Sequence, residues 1–166
     1  SIEADACAAC HDDDHYHVYP SQWKVSGHAD PPSYPSGGRD GCRGCHNGYQ
    51  FIQFVDGEQI TVQPNAPISC AVCHDPHNAT NDYQLRTVEA TLSNGEVVTK
   101  GNNGRLCMNC HQSRRDAETY PTGPKSHFGP HYVPQADMIL GTNVVTFGQD
   151  LPSSPHVSAT DDACVD

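Results

Sequence analysis

The chain has 166 residues, carries 9 Lys+Arg against 20 Asp+Glu for a formal charge of −11, and has a mean hydropathy of −0.62. That length suits one domain or two small ones, the acidity excludes nucleic acid as the main partner because phosphate backbones are held by clustered Lys and Arg, and no apolar run approaches the ~20 residues of a membrane-spanning helix. With 14 Gly, 13 Pro and only 36% hydrophobic residues the apolar core is expected to be thin, and the surplus lies in 9 Cys and 11 His.

Near the start no basic, apolar leader is seen, so a mature chain or a fragment is expected. The first element is Cys7-Ala-Ala-Cys10-His11, expected on a short helix and followed by an acidic turn, Asp12-Asp13-Asp14, and by His15 and His17. That acidic turn reads as solvated, since no spaced oxygen-ligand loop for calcium follows it. Trp23 to His28 forms a short segment ending at Pro31-Pro32, a rigid place from which to aim an imidazole.

A second copy follows, Cys42-Arg-Gly-Cys45-His46. Tyr49 to Val55 and Glu58 to Val62, joined by Asp56-Gly57, are predicted to form a β-hairpin, because a two-residue Asp-Gly link suits a type I′ turn. Cys70-Ala-Val-Cys73-His74 is the third copy, with His77 three residues on and a glycosylation sequon at Asn78. Leu85 to Leu92 and Glu96 to Thr99, around Asn94-Gly95, are a second hairpin candidate. Cys107-Met-Asn-Cys110-His111 is the fourth copy; Arg114, Arg115 and Lys125 follow as cations, then His127 and His131, a helix over Pro134 to Leu140, His156 after Pro155, and the ninth cysteine, Cys164. The fold class expected is mostly irregular and loop-rich, with short helices and one or two β-hairpins, in one domain over residues 1–166.

CxxCH occurs four times, its second cysteines 35, 28 and 37 residues apart, and each copy reads as a c-type haem attachment site. The chemistry dictates the spacing, because two thiols add to the porphyrin vinyl groups and the next residue supplies an imidazole for the iron. Zinc knuckles and redox disulfides also use CxxC, but neither requires histidine after the second cysteine every time. Cys7, Cys10, Cys42, Cys45, Cys70, Cys73, Cys107 and Cys110 are therefore the expected haem c anchors, with His11, His46, His74 and His111 as proximal ligands. At about 41 residues for each of four haems, the porphyrins are expected to stand in for the missing Leu and Ile, and the haem-free chain to be unfolded.

Seven histidines remain for four sixth positions, so every haem can be bis-histidine, low-spin and low in potential. His28, His77, His131 and His156 rank first for distal duty, then His17, His15 and His127. In a helical turn His74 and His77 would leave on the same side and could not grip one iron from both faces. Cys164 could begin a fifth CxxCH cut short by the end of the given sequence, or be a free thiol or an intermolecular disulfide partner.

On these motifs the chain resembles the multihaem c-type cytochromes, and its four haems on a small, loop-rich chain are similar to the tetrahaem extracellular cytochromes that assemble into filaments, or nanowires. The resemblance implies a homopolymer with haem contact between subunits, in which His15 or His17 could ligate an iron of the next copy. A fifth motif would be a departure from that tetrahaem pattern. Electron transfer is the expected function, with redox partner proteins or extracellular acceptors as partners and no catalytic residues. A soluble periplasmic shuttle and an electron-feeding module of a multihaem redox enzyme are the alternatives. Because haem is joined to CxxCH outside the cytoplasmic membrane, an exported protein is expected, extracellular or at the cell surface, alternatively periplasmic.

Overall fold

The structure is a computed structural model that describes residues 2–11, 19–30, 42–120 and 134–165. Its contacts gather into two compact units, Ser1–Arg86 and Thr87–Asp166. The described helices are short: α1 (Ala4–Ala8), α2 (Tyr19–Lys24), α3 (Arg43–His46), α4 (Gly48–Val55) and α5 (Cys70–Cys73) in the first unit, and α6 (Arg105–Met108), α7 (Gln135–Leu140) and α8 (His156–Ala159) in the second. Extended pairing among the described residues is confined to two isolated antiparallel bridges, His74 with Leu85 and Thr91 with Val97.

The hairpin predicted over residues 49–62 is corrected by the structure, which forms a helix over Gly48–Val55. The two ends of the segment show why. Asn47 is a helix N-cap whose side chain accepts from Tyr49 N–H at 3.1 Å, while its amide donates to the Pro64 carbonyl at 2.9 Å. At the other end Gly57 takes a left-handed φ of 70°, and the N–H groups of Asp56 and Gly57 close on Ile52 and Phe54, so Asp-Gly ends a helix instead of turning a hairpin. The following stretch returns along α4 through glutamine side chains: Gln50 and Gln53 donate to Thr61 at 2.8 and 3.0 Å, and Thr61 N–H donates to Gln53 at 3.1 Å. The helical period puts Phe51 inside and leaves Phe54 partly in solvent.

Gly48 is the hinge of the first unit's packing. A Cβ there would stand 2.4 Å from the Pro67 carbonyl oxygen and 2.8 Å from Val72, so only glycine lets α4 approach α5 this closely. Helix α1 also packs on α5, and the Ser69 hydroxyl donates to the Ile2 carbonyl.

The second expected hairpin is present in a reduced form. Val98 N–H donates to Ala90 and Leu92 N–H to Glu96, each at 2.9 Å, around the Asn94-Gly95 turn with Gly95 at φ 87°. Ala90, Leu92 and Val98 meet Met108, Ala136, Leu140 and Val157 in a small apolar cluster, with Ile139 and Ala163 against it. The helix expected over residues 134–140 is found as α7. A buried carboxylate ties it to the fourth CxxCH: Asp137 accepts from Ser113 N–H at 2.6 Å and from the Asn143 amide at 2.7 Å, while Ala136 N–H donates to the His111 carbonyl at 2.8 Å. Among the described residues no helix is long and apolar enough to cross a membrane.

Candidate functional site

The first, third and fourth CxxCH motifs close the same main-chain turn, and the second lies at the start of a short helix. In the first, third and fourth, the histidine N–H donates to the carbonyl of the first cysteine, at 3.0 Å for His11 to Cys7, 2.9 Å for His74 to Cys70 and 2.9 Å for His111 to Cys107. In the second, Cys45 and His46 lie within α3. A turn of this kind puts cysteines three apart on one side of the chain with the imidazole next in line. Seven of the eight motif thiols are half-buried and Cys10 is exposed, and none is in a disulfide. That donor set, paired thiols followed by imidazole, fits a covalently attached haem. It fits zinc poorly, because tetrahedral zinc needs four converging ligands and among the described residues no three His, Cys, Asp or Glu side chains come together to hold a metal.

The third motif shows how the chain orients its imidazole. His74 Nδ1 lies 2.7 Å from the Tyr83 carbonyl oxygen. A carbonyl only accepts, so Nδ1 carries the proton and Nε2 keeps its lone pair for iron. The loop that delivers this carbonyl is strained and clasped. Tyr83 and Gln84 take left-handed φ values of 65° and 54°, and the Asn81 side chain accepts from Leu85 N–H at 2.8 Å while donating to the Leu85 carbonyl at 2.9 Å. Main-chain bonds from Asp75 to Gln84 and from Arg86 to Cys73 close the bracket at 2.7 and 2.9 Å. Arg86 also donates through Nε to the Ala71 carbonyl at 2.8 Å, inside the motif.

Burial followed by the nearby Cys70 pushes the Cys73 thiol up to about 11, with Arg86 working the other way. Cys70 is raised too, first by burial and then by Cys7, whose thiol is hydrogen-bonded to it. Cys164 moves in the opposite direction, to about 7, because it shares a hydrogen bond with Cys107, against the effect of its partial burial.

In the fourth motif the intervening residues do structural work. Met108 is fully buried in the apolar cluster, and the Asn109 amide donates to the Glu89 carbonyl at 2.9 Å. Gln112, directly after His111, accepts from Ser93 N–H at 2.8 Å.

The distal candidates are spread out. His28 is exposed on a segment pinned to the approach to the third motif: Trp23 Nε1 donates to the Ile68 carbonyl at 2.7 Å and Ile68 N–H donates to the His28 carbonyl at 3.0 Å. His77 is exposed, and its N–H donates to the Asp75 side chain at 3.1 Å in a turn. His74 itself is extended, with φ −106° and ψ 137°, so the helical relation assumed between these two imidazoles does not hold. His156 is exposed at the start of α8. His15, His17, His127 and His131 lie outside the described residues, as do Asp12 to Asp14 and Lys125. Arg114 is exposed, and Arg115 stacks over the Tyr120 ring at 5.5 Å.

Asn81, Tyr83, Arg86 and Asp137 are missed by motif reading. Their common signal is position only, a polar residue some way past a CxxCH, which becomes informative once the loop is folded back.

Residues 63–116, spanning the third and fourth motifs, match a family model described as "Doubled CXXCH motif". No curated protein and no solved structure matches the chain. The match covers about a third of the sequence and, with four copies of CxxCH along the chain, supports a multihaem c-type cytochrome, a protein that carries electrons on covalently attached haem. The first and second motifs lie before the matched segment and rest on their own residues.

Proposed function

We propose that the chain carries four haem c groups and passes electrons along them as a subunit of an extracellular cytochrome filament. The observation that bears most weight is the fourfold repetition of CxxCH along the chain, with thiols three apart and an imidazole in sequence. Bound haem would supply an iron that cycles between Fe(II) and Fe(III), with no bond made to a substrate. The chain's part is to tether the group through the eight motif cysteines and to orient His11, His46, His74 and His111. His28, His77 and His156, with His131, His15 and His17, are the candidates for the sixth positions, His15 or His17 reaching a neighbouring subunit.

A sparse core supports haem wrapping as the fold's organising device, and exposed apolar side chains such as Phe147 (90% exposed) and Val25 (87%) suit contact with other copies. Electron microscopy of the purified holoprotein tests the reading. Ordered fibres with haem density along the axis are expected; discrete particles alone would transfer the assignment to a soluble periplasmic shuttle. A high-spin visible band or rapid binding of carbon monoxide would instead favour the enzyme-module alternative.

A further inference from the structure

In the first unit, the helices that carry the first and third attachment sites pack against each other. Helix α1, bearing Cys7, packs directly on α5, which runs from Cys70 to Cys73, and the Cys7 and Cys70 thiols are hydrogen-bonded to each other. The contact is supported on both sides. The Ser69 hydroxyl, one residue before Cys70, donates to the Ile2 carbonyl, and the Ile2 side chain reaches within 3.1 Å of a Cβ built on Gly48, beside Val72 of α5. The second motif is carried differently: α3 packs on α4, and a Cβ added at Gly44, between its cysteines, would lie 3.5 Å from Ile60 and 3.7 Å from Phe54.

We infer that the first and third attachment sites form the closest haem pair of the first unit, meeting through the Cys7 and Cys70 edges, so that electrons exchange between motifs one and three without passing through motif two. This rests on the reading of the CxxCH turns as haem sites. A thioether bond places the porphyrin edge one carbon from its cysteine sulfur, so two neighbouring sulfurs bring two porphyrin edges together; the S–H hydrogen bond is given up on attachment, and the packing of α1 on α5 is what keeps the two sites adjacent. Each of these cysteines is the first of its motif, so the same kind of edge is presented from both sides. Helix α4, held close to α5 by Gly48, then fixes the second site's carrier relative to this pair.

The experiment is a cryo-EM structure of the intact holoprotein, preceded by an intact-mass count of attached haem. No covalent haem on the chain would overturn both the pairing and the reading beneath it. With haem attached, the shortest edge-to-edge distance among the first three sites is expected between motifs one and three; a shorter approach from motif two to either would overturn the pairing alone. Soret circular dichroism gives a second readout. Cys7→Ala/Cys10→Ala and Cys70→Ala/Cys73→Ala should each lose the same bisignate component, and Cys42→Ala/Cys45→Ala should retain it. Loss of that component only when the second motif is removed would overturn the proposal.

Discussion

The bond from His74 Nδ1 to the Tyr83 carbonyl costs the chain two left-handed residues, and Asn81 is the side chain that keeps them so. Its amide satisfies both main-chain groups of Leu85, which is buried. Asn81→Ala should therefore destabilise the holoprotein by about 1–3 kcal/mol in guanidinium unfolding, since the Leu85 N–H and carbonyl lose their partner. It should also change the electron paramagnetic resonance of one haem, because the His74 ring is no longer held in one orientation; an unchanged spectrum would deny the loop its positioning role. Asp137→Ala should cost about 1–3 kcal/mol, as it strands the buried Ser113 N–H, whereas the Asn143 amide keeps Ser93 and the Arg115 carbonyl as partners. Cys164 gives a pH test. Its thiol is lowered to about 7 by hydrogen bonding with Cys107, and that stabilisation of the thiolate disappears when the Cys107 sulfur becomes a thioether with no S–H to donate. In the holoprotein, alkylation of Cys164 followed by mass spectrometry should have its midpoint well above pH 7, nearer the ordinary thiol value of ~8.5. Cys107→Ser leaves Cys110 to hold the haem and restores a donor, so the midpoint should fall back towards 7.

Among the elements, those defined by covalent chemistry are legible in the sequence and those defined by long-range packing are not. A CxxCH turn needs all its parts within five consecutive residues, so the four copies are read from the chain directly. Helix α4 shows the opposite case. Tyr49, Phe51 and Val55 suit a strand as well as a helix, and Asp56-Gly57 suits a hairpin turn as well as a helix end. What separates the readings is Asn47, whose cap is completed by Pro64, 17 residues away. Likewise the carboxylate of Asp137 acquires its role only when α7 reaches Ser113, 24 residues distant. The position of Gly48 carries a prediction at this scale. Gly48→Ala forces a Cβ to 2.4 Å from the Pro67 carbonyl oxygen, a backbone atom, so α4 and α5 must separate. A loss of at least ~1–3 kcal/mol is expected in denaturant unfolding of the holoprotein. Gly57→Ala meets no atom within 4 Å and pays only for its φ of 70°, about 1 kcal/mol. Equal losses for the two variants would contradict the packing argument.

For the molecule as a whole, the decisive feature is how little apolar side chain the described residues bury. Phe51 is the one aromatic among the 13 buried hydrophobic residues, and four of those are alanines. Met108, Val72 and Leu92 are well enclosed, yet Tyr83 and Met138 stand 69% and 68% exposed. Ordering a chain costs about 1–2 kcal/mol per residue in backbone entropy, which a sparse core offsets poorly, so further apolar surface has to be buried when the chain folds. On the proposed reading attached haem, which stays on the chain folded or unfolded, would supply that surface through the porphyrin faces it buries on folding. Conversely, the polar brackets around the motifs, through Asn81, Asn109 and Asp137, orient backbone without supplying much buried surface. The chain expressed without haem attachment should therefore be expanded, with a radius of gyration by small-angle X-ray scattering near ~40 Å in place of the ~15 Å of a compact chain of this length. Limited proteolysis should cut it throughout both units. A compact, protease-resistant haem-free chain would show that the side-chain clusters suffice on their own, and would remove the physical reason for placing porphyrin at the centre of the fold.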